Sequence, residues 1–387
     1  MHATDSLASA GRGIPVSRIR ELANQAMDIE GLIPLWFGES DQPTPRFIID
    51  AGKASISEGH TFYTEGLGKP WLREEIATYM TRLYETPIAR ERIAVTVSGT
   101  NAINLAFQMI AQAGDRMVTT LPAFPTLMTV PALQHVEIDT VAIKPASNGW
   151  KVDLDHLLEK AKQAKILLLN SPNNPTGWVL ERDEIKAILK TCRENGTWII
   201  SDEVYARITY DGKPAPSFAE FAEPEDRVLV VNSFSKSWAM TGWRIGWLTL
   251  PVSLLAECEK LMEFSMSCAP EFVQAGALAA LQDGEDFLRT QMTRFREGRD
   301  LSIQRLKQMP GVSVVPPAAA FYAFFRIDGV TDDVSLAKSM AREAGVGIAP
   351  GSAFDPSKTD WFRVCFAKEP SLLEEAFDRM GRFLETR

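Results

Sequence analysis

The sequence predicts an α/β protein, with a large domain built on a mostly parallel sheet covered by helices and a smaller, discontinuous α+β domain beside it. Three observations carry that expectation. The middle of the chain alternates short apolar strands with helical stretches. Those strands are apolar along their whole length, as expected of a sheet buried on both faces. From about residue 285 the texture changes to a long charged helical segment, two aromatic strands and a terminal helix.

In chain order the expected strands of the large sheet are "RIAVTVS" (92–98), "RMVTTL" (116–121), "KILLLN" (165–170), "TWIISD" (197–202), "RVLVVNS" (227–233) and "RIGWLTL" (244–250). The second domain is expected from the helical "DFLRTQMTRFREGRDLSIQRLKQM", the strands "AAFYAFFRI" and "WFRVCFA", and the helical "SLLEEAFDRMGRFLET". The first 40 or so residues are expected to join it. That divides the 387 residues into a large domain, 41–284, and a small one made of 1–40 and 285–387.

Composition narrows the function classes. Hydrophobic residues make up 45% and charged residues 24%, and no apolar run approaches the length of a membrane span. A formal net charge of −9 argues against a nucleic-acid partner, which would call for a basic face. Small-molecule substrates are the expectation. The N-terminal "MHATDSLASAGRGIPVSRIR" has no apolar stretch of signal-peptide length, so a cytoplasmic location is expected. Cys192, Cys258, Cys268 and Cys365 are widely spaced and expected to be buried reduced thiols, neither disulfides nor zinc ligands. His2, His60, His135 and His156 have no partners at metal-ligand spacing, so no metal is expected.

In open α/β sheets ligands bind beyond the carboxyl ends of the strands, so the polar residues that follow them are the candidates. After strand 165–170 comes "NSPNNPTGWVL", a tight loop expected to leave Asn173 and Asn174 facing outward. After strand 197–202 comes "DEVY", with Asp202 and Tyr205 three residues apart; alone it reads more commonly as a helix start capped by the aspartate. After strand 227–233, "SFSKSWAMTGWRIGW" places Lys236 and Arg244 among serines, tryptophans and glycines. A lysine in such company is either a snorkelling surface residue or a buried amine with a chemical task. Arg363, in "WFRVCFA", is a charge inside an apolar strand, where it must find a partner.

Together with "YTEGLGKPWLREEI" (63–76) and "VSGTNAI" (97–103), these segments resemble, in family order, the fold-type I, pyridoxal-phosphate-dependent aminotransferases of class I/II. The resemblance runs from about Leu35 to Arg363. It implies a seven-stranded large sheet that binds pyridoxal 5'-phosphate, and transamination between an L-amino acid and a 2-oxo acid through an internal aldimine on Lys236. It also implies a homodimer with shared active sites.

Residue by residue, the resemblance gives Lys236 the Schiff base and the α-proton, and Asp202 the protonated pyridine nitrogen. Asn174 and Tyr205 would serve the phenolic oxygen. The phosphate would be held by Gly99, Thr100 and Asn101 at a helix N-terminus, completed by Ser233, Ser235 and Arg244, and by Tyr63 of the neighbouring subunit. Phe124 would stack on the ring, with core packing as the alternative. For the serines, plain turn chemistry is the alternative. Arg363, with Gly38 and Asn174 near it, would clamp the substrate α-carboxylate; a structural ion pair with a glutamate is the other reading.

Thr100 stands where some acid-specific relatives carry a lysine, which lowers the odds for aspartate. Trp36 and Phe37 are candidates to line a pocket for neutral or aromatic side chains, or simply core. The same fold and residues also serve C–S (β) lyases, racemases and decarboxylases, and a regulator's ligand-binding domain is a weaker alternative.

Overall fold

Residues 14–386 are described by a computed structural model. The opening stretch of the chain, His2 included, lies outside the described residues. The strands are β1 (Ile33–Pro34), β2 (Ile93–Thr96), β3 (Arg116–Leu121), β4 (Glu137–Ala146), β5 (Gly149–Val152), β6 (Ile166–Asn170), β7 (Trp198–Asp202), β8 (Val228–Ser233), β9 (Gly246–Thr249), β10 (Val312–Val314), β11 (Tyr322–Ile327), β12 (Val346–Gly347), β13 (Ala349–Pro350) and β14 (Trp361–Cys365).

The large sheet runs β2-β9-β8-β7-β6-β3-β4-β5. Its centre is parallel, with β4, β3, β6, β7 and β8 pairing in one direction, while β9 runs antiparallel between β8 and β2. The expected mostly parallel α/β sheet is therefore present, with every residue of β2, β6, β7 (after Trp198), β8 and β9 buried, as suits strands covered on both faces. The sheet has eight strands instead of seven. Beyond the expected strands the sheet adds the β4–β5 hairpin, whose two-residue turn at 147–148 leads into Gly149 at φ 125°; β5 is the edge strand, and buried and exposed residues alternate from Val141 to Lys144.

A second, antiparallel sheet orders β10-β11-β14-β13. The long helix Glu285–Gln308 and the terminal helix Pro370–Glu385 pack against one another beside it. The helix Arg18–Gln25 packs on β13, and β1 pairs in parallel with β12, so the start of the described chain is built into this C-terminal region. The two regions share core: the Trp150 ring lies 5.9 Å from Phe324 and 5.4 Å from Trp361.

Register decides where the chemistry gathers. Asn170 pairs with Asp202, and Gly246 pairs with both Ser233 and Thr96, so the ends of β2, β6, β7 and β8 open onto one edge of the sheet. Residues 33–41 run past that edge as a thread bonded on both sides. Leu35 N–H donates to the Gly347 carbonyl (2.8 Å), the Leu35 carbonyl accepts from Cys365 N–H (2.8 Å), and Asp41 N–H donates to Ala367 (3.1 Å). On the other side, the Gly38 carbonyl and the Glu39 carboxylate take donors from Lys236 and Thr241.

Candidate active site

Strand β8 ends at Ser233, whose hydroxyl accepts from Ser235 N–H (3.1 Å) and starts the single turn Phe234–Ser237. That turn aims Lys236 at the thread, where its Nζ donates to the Gly38 carbonyl at 2.6 Å. The side chain is half-buried, and loss of solvent pushes its pKa down from 10.5 to about 8. An amine so tuned is readily available in its neutral, nucleophilic form.

Asp202 closes β7 with only 6% of its surface exposed. Its Oδ1 accepts from Val204 N–H (3.3 Å), and among the described residues no lysine or arginine makes an ion pair with it. Burial pushes its pKa up from 3.8 to about 7, against the opposing pull of Lys236. Glu203 beside it is also buried and raised to about 7, but its Oε1 takes Ser201 Oγ (2.8 Å) and Phe218 N–H (3.1 Å), while its Oε2 is buried without a partner. Of the two neighbouring carboxyls, Asp202 is the one left without a side-chain partner.

The loop after β6 departs from expectation. Asn173 and Asn174 face inward, 0% and 3% exposed. Asn173 Oδ1 accepts from Thr176 N–H (3.1 Å) and Oγ1 (2.7 Å), while its Nδ2 donates to Pro122 O (3.3 Å), tying this loop to the one after β3. The turn is folded around its own asparagine amide, which satisfies the polar groups that would otherwise need water. Asn174 N–H is held by Asn170 Oδ1 (2.8 Å), and its own Oδ1 accepts from Arg363 Nη1 (2.9 Å).

Arg363, 2% exposed in the middle of β14, meets no glutamate. Its partners are Asn174 Oδ1 and the Trp36 carbonyl, with the rings of Tyr322 (4.4 Å) and Phe354 (4.7 Å) flanking the guanidinium. Its Nε is buried without an acceptor. A buried cation held only by neutral acceptors and aromatic faces is suited to receive an anion. Tyr205 is buried beside it, its Oη 2.7 Å from that of Tyr322.

The helix Gly99–Ile110 begins with Ser98 at φ 119°, whose hydroxyl accepts from Asn101 N–H (3.2 Å); Asn101 Oδ1 in turn accepts from Val97 N–H (3.2 Å). The first-turn N–H groups of Gly99 and Thr100 have no intrahelical acceptor. Ser233 Oγ donates to Ser235 Oγ (2.9 Å), and Arg244, in the left-handed region at φ 54°, is exposed with Nη1 on the Thr241 carbonyl (2.6 Å). Phe124 is 37% exposed and Tyr63 is 89% exposed.

Two participants escaped the sequence reading. Tyr322 lies within "AAFYAFFRI", which read only as a strand of the small domain, and the Trp36 carbonyl is backbone and leaves no mark in residue type. The signal for Tyr322 was its hydroxyl, since a tyrosine buried in a strand must find a polar partner. Of the thiols, Cys192, Cys258 and Cys365 are buried, whereas Cys268 is only partly so.

These groups fit pyridoxal 5'-phosphate. The buried carboxyl of Asp202, with no side-chain partner, suits a cationic ring nitrogen, the Lys236 amine suits an aldehyde, and the open helix start at Gly99 suits a phosphate. The fold and the amine–carboxyl pair at its sheet edge define a class of α/β enzyme, the fold-type I transaminases. The match of the family model "Aminotransferase class I and II" to residues 30–380 makes the relation explicit: the chain belongs to that family, and it is an aminotransferase.

Among curated relatives, an aspartate aminotransferase of Pyrococcus horikoshii is 32% identical over 95% of both chains. An aromatic-amino-acid aminotransferase of Thermococcus litoralis is also 32% identical, over 95% of this chain and 96% of the relative. Of solved structures, an aspartate aminotransferase of Thermotoga maritima superposes with a TM-score of 0.88 at 30% identity, covering 98% of this chain and 100% of that one. An aminotransferase of Mycobacterium tuberculosis reaches 0.92 at 27% identity, covering 99% and 100%.

Proposed function

We propose that this aminotransferase binds pyridoxal 5'-phosphate at Lys236 and moves an amino group from an L-amino acid to a 2-oxo acid. The observation that carries the reading is the buried Asp202 carboxyl, left without a cation beside a lysine whose pKa burial lowers to about 8. When bound, the cofactor supplies an aldehyde for the amino group and a ring that withdraws electrons from the substrate α-carbon. Asp202 holds the ring nitrogen in its charged form. Lys236 Nζ, released by Gly38, moves the proton at the α-carbon. Asn174 and Tyr205 donate to the phenolic oxygen, and Phe124 covers one ring face.

The N–H groups of Gly99 and Thr100, with Asn101, Ser233, Ser235 and Arg244, hold the phosphate. Arg363, exchanging its neutral acceptors for the substrate, fixes the α-carboxylate beside Gly38 and Asn174. We further infer a homodimer in which Tyr63 completes the partner's site. Phe62, Tyr63 and Phe264 are 82%, 89% and 91% exposed, and the Thr64 N–H to Cys268 Sγ contact (3.3 Å) ties their two segments together. The inferred domain division is 41–284 against 1–40 and 285–387, and the inferred location is cytoplasmic; among the described residues no helix is long and apolar enough to cross a membrane.

Relatives named for aspartate and for aromatic amino acids are equally similar, so the donor is left to experiment. Borohydride reduction of the yellow protein followed by peptide mapping should place the cofactor on Lys236; an adduct on another lysine would overturn the assignment. A panel of amino donors with pyruvate, oxaloacetate and 2-oxoglutarate should then yield new amino acids. Release of ammonia and pyruvate instead would favour the β-lyase alternative.

A further inference from the structure

The roles above leave one contact unused, that between the two tyrosine hydroxyls. Tyr205 Oη and Tyr322 Oη lie 2.7 Å apart, and both residues are buried, 3% and 1% exposed. A phenol has one proton to donate and two lone pairs to accept with. If Tyr205 directs its proton to the cofactor's phenolic oxygen, the proton in the tyrosine–tyrosine contact comes from Tyr322. Burial raises both phenols above their ordinary range, so both keep their protons.

Tyr322 is held firmly in that position. Its ring meets those of Phe321 and Tyr205 edge-on at 4.9 and 5.7 Å, and the Arg363 guanidinium lies 4.4 Å from its centroid. Its hydroxyl fills the space over Gly38 so closely that a Cβ there would stand 1.9 Å from the oxygen. The placement follows from register: Tyr322 pairs with Cys365 and Phe324 with Arg363, which makes Tyr322 and Arg363 diagonal neighbours on one face of β11 and β14.

We propose that Tyr322 is a positioning residue for transamination, its hydroxyl donating to Tyr205 and so strengthening the hydrogen bond from Tyr205 to the cofactor's phenolic oxygen. The proposal rests on the cofactor reading given above. Hydrogen bonds in a chain polarise one another, each strengthening the next by roughly 10–30%. The phenolic oxygen carries more negative charge once the neighbouring nitrogen has lost its proton, so a stronger donor favours the deprotonated form. The hydroxyl of Tyr322 therefore lowers the pH at which the bound chromophore titrates.

The test is a pH titration of visible absorbance in the cofactor-loaded wild type, Tyr322→Phe, Tyr205→Phe and the double variant. Tyr322→Phe keeps the ring under Arg363 and should raise the midpoint by about half a pH unit, with Tyr205→Phe raising it further. The double variant should match Tyr205→Phe alone, because the effect passes through Tyr205. An unchanged midpoint in loaded Tyr322→Phe would overturn the proposal, as would an added shift in the double variant. Should Tyr322→Phe fail to fold, 3-fluorotyrosine at position 322, a stronger donor, should move the midpoint down; no movement, or an upward one, would overturn it. A wild type that takes up no pyridoxal 5'-phosphate would overturn the cofactor reading itself, and that failure shows before any variant is made.

Discussion

Asp202→Asn keeps the side-chain shape and an oxygen for the Val204 N–H, and removes only the charge. In the folded wild type the carboxyl pKa is raised from 3.8 to about 7 by burial. Between those values the folded chain keeps a proton that the unfolded chain has lost. The stabilisation linked to that proton is fully present below about pH 4 and is lost as pH rises to about 7. A shift of about three units at 1.36 kcal/mol each is ~4 kcal/mol, which the Asn variant does not lose. With an unfolding entropy of ~2.1 cal/mol/K per residue, that corresponds to about 5 °C for a chain of this length.

Thermal unfolding of both cofactor-free proteins should show similar midpoints at pH 4 and a gap opening in favour of Asn by pH 7.5, below the point where Lys236 titrates, about 8. Pyridoxal 5'-phosphate should narrow or reverse the gap, because a cationic ring nitrogen gives the aspartate a partner and the asparagine none. A gap independent of pH would refute the reasoning, since it would mean that no uncompensated charge develops at Asp202.

Arg363→Lys loses the planar fork that reaches Asn174 and Trp36 together, and should weaken 2-oxo acid binding by roughly 10- to 100-fold while the resting spectrum stays unchanged. Collapse of cofactor binding would make Arg363 structural instead. Gly38→Ala sets a methyl 1.9 Å from the Tyr322 hydroxyl and should lower kcat by about tenfold or more, with partial recovery in Gly38→Ala/Tyr322→Phe. Mixing Lys236→Ala with Tyr63→Ala chains should restore roughly a quarter of wild-type activity, through hybrid dimers carrying one intact site. Hybrids seen by mass spectrometry without regained activity would refute a shared site.

The large sheet was legible wherever its strands are apolar throughout. Expected runs 116–121, 165–170, 197–202 and 227–233 fall within one residue of β3, β6, β7 and β8. The β4–β5 hairpin was not read, because "EIDTVAIKPA" is only partly buried, with just Val141 and Ile143 fully so, and its charged and polar residues leave no long apolar run. Asn173 misled for a different reason. Proline, glycine and asparagine announce a turn, yet they do not say whether that turn is solvated or closed on its own amide. Lys236 and Arg363 stood out as charges in apolar surroundings, and Asp202 by its place at the end of an apolar strand. Tyr322 did not, because a tyrosine among phenylalanines differs from them by one atom.

The thread of residues 33–41 serves the site mainly through its peptide groups: the Gly38 carbonyl receives Lys236 and the Trp36 carbonyl receives Arg363. Every residue type carries a carbonyl, so conventional alanine scanning across Leu35, Trp36 and Phe37 leaves these acceptors in place and underreports the segment. Leu35 and Trp36 are held by burial and Gly38 by the Tyr322 hydroxyl, so a side-chain change at those positions reports on packing as well, whereas the two acceptors remain whatever the side chain. Amide-to-ester replacement at the peptide bonds after Trp36 and Gly38, which weakens the carbonyl as an acceptor without touching any side chain, is the perturbation to which that stretch should respond.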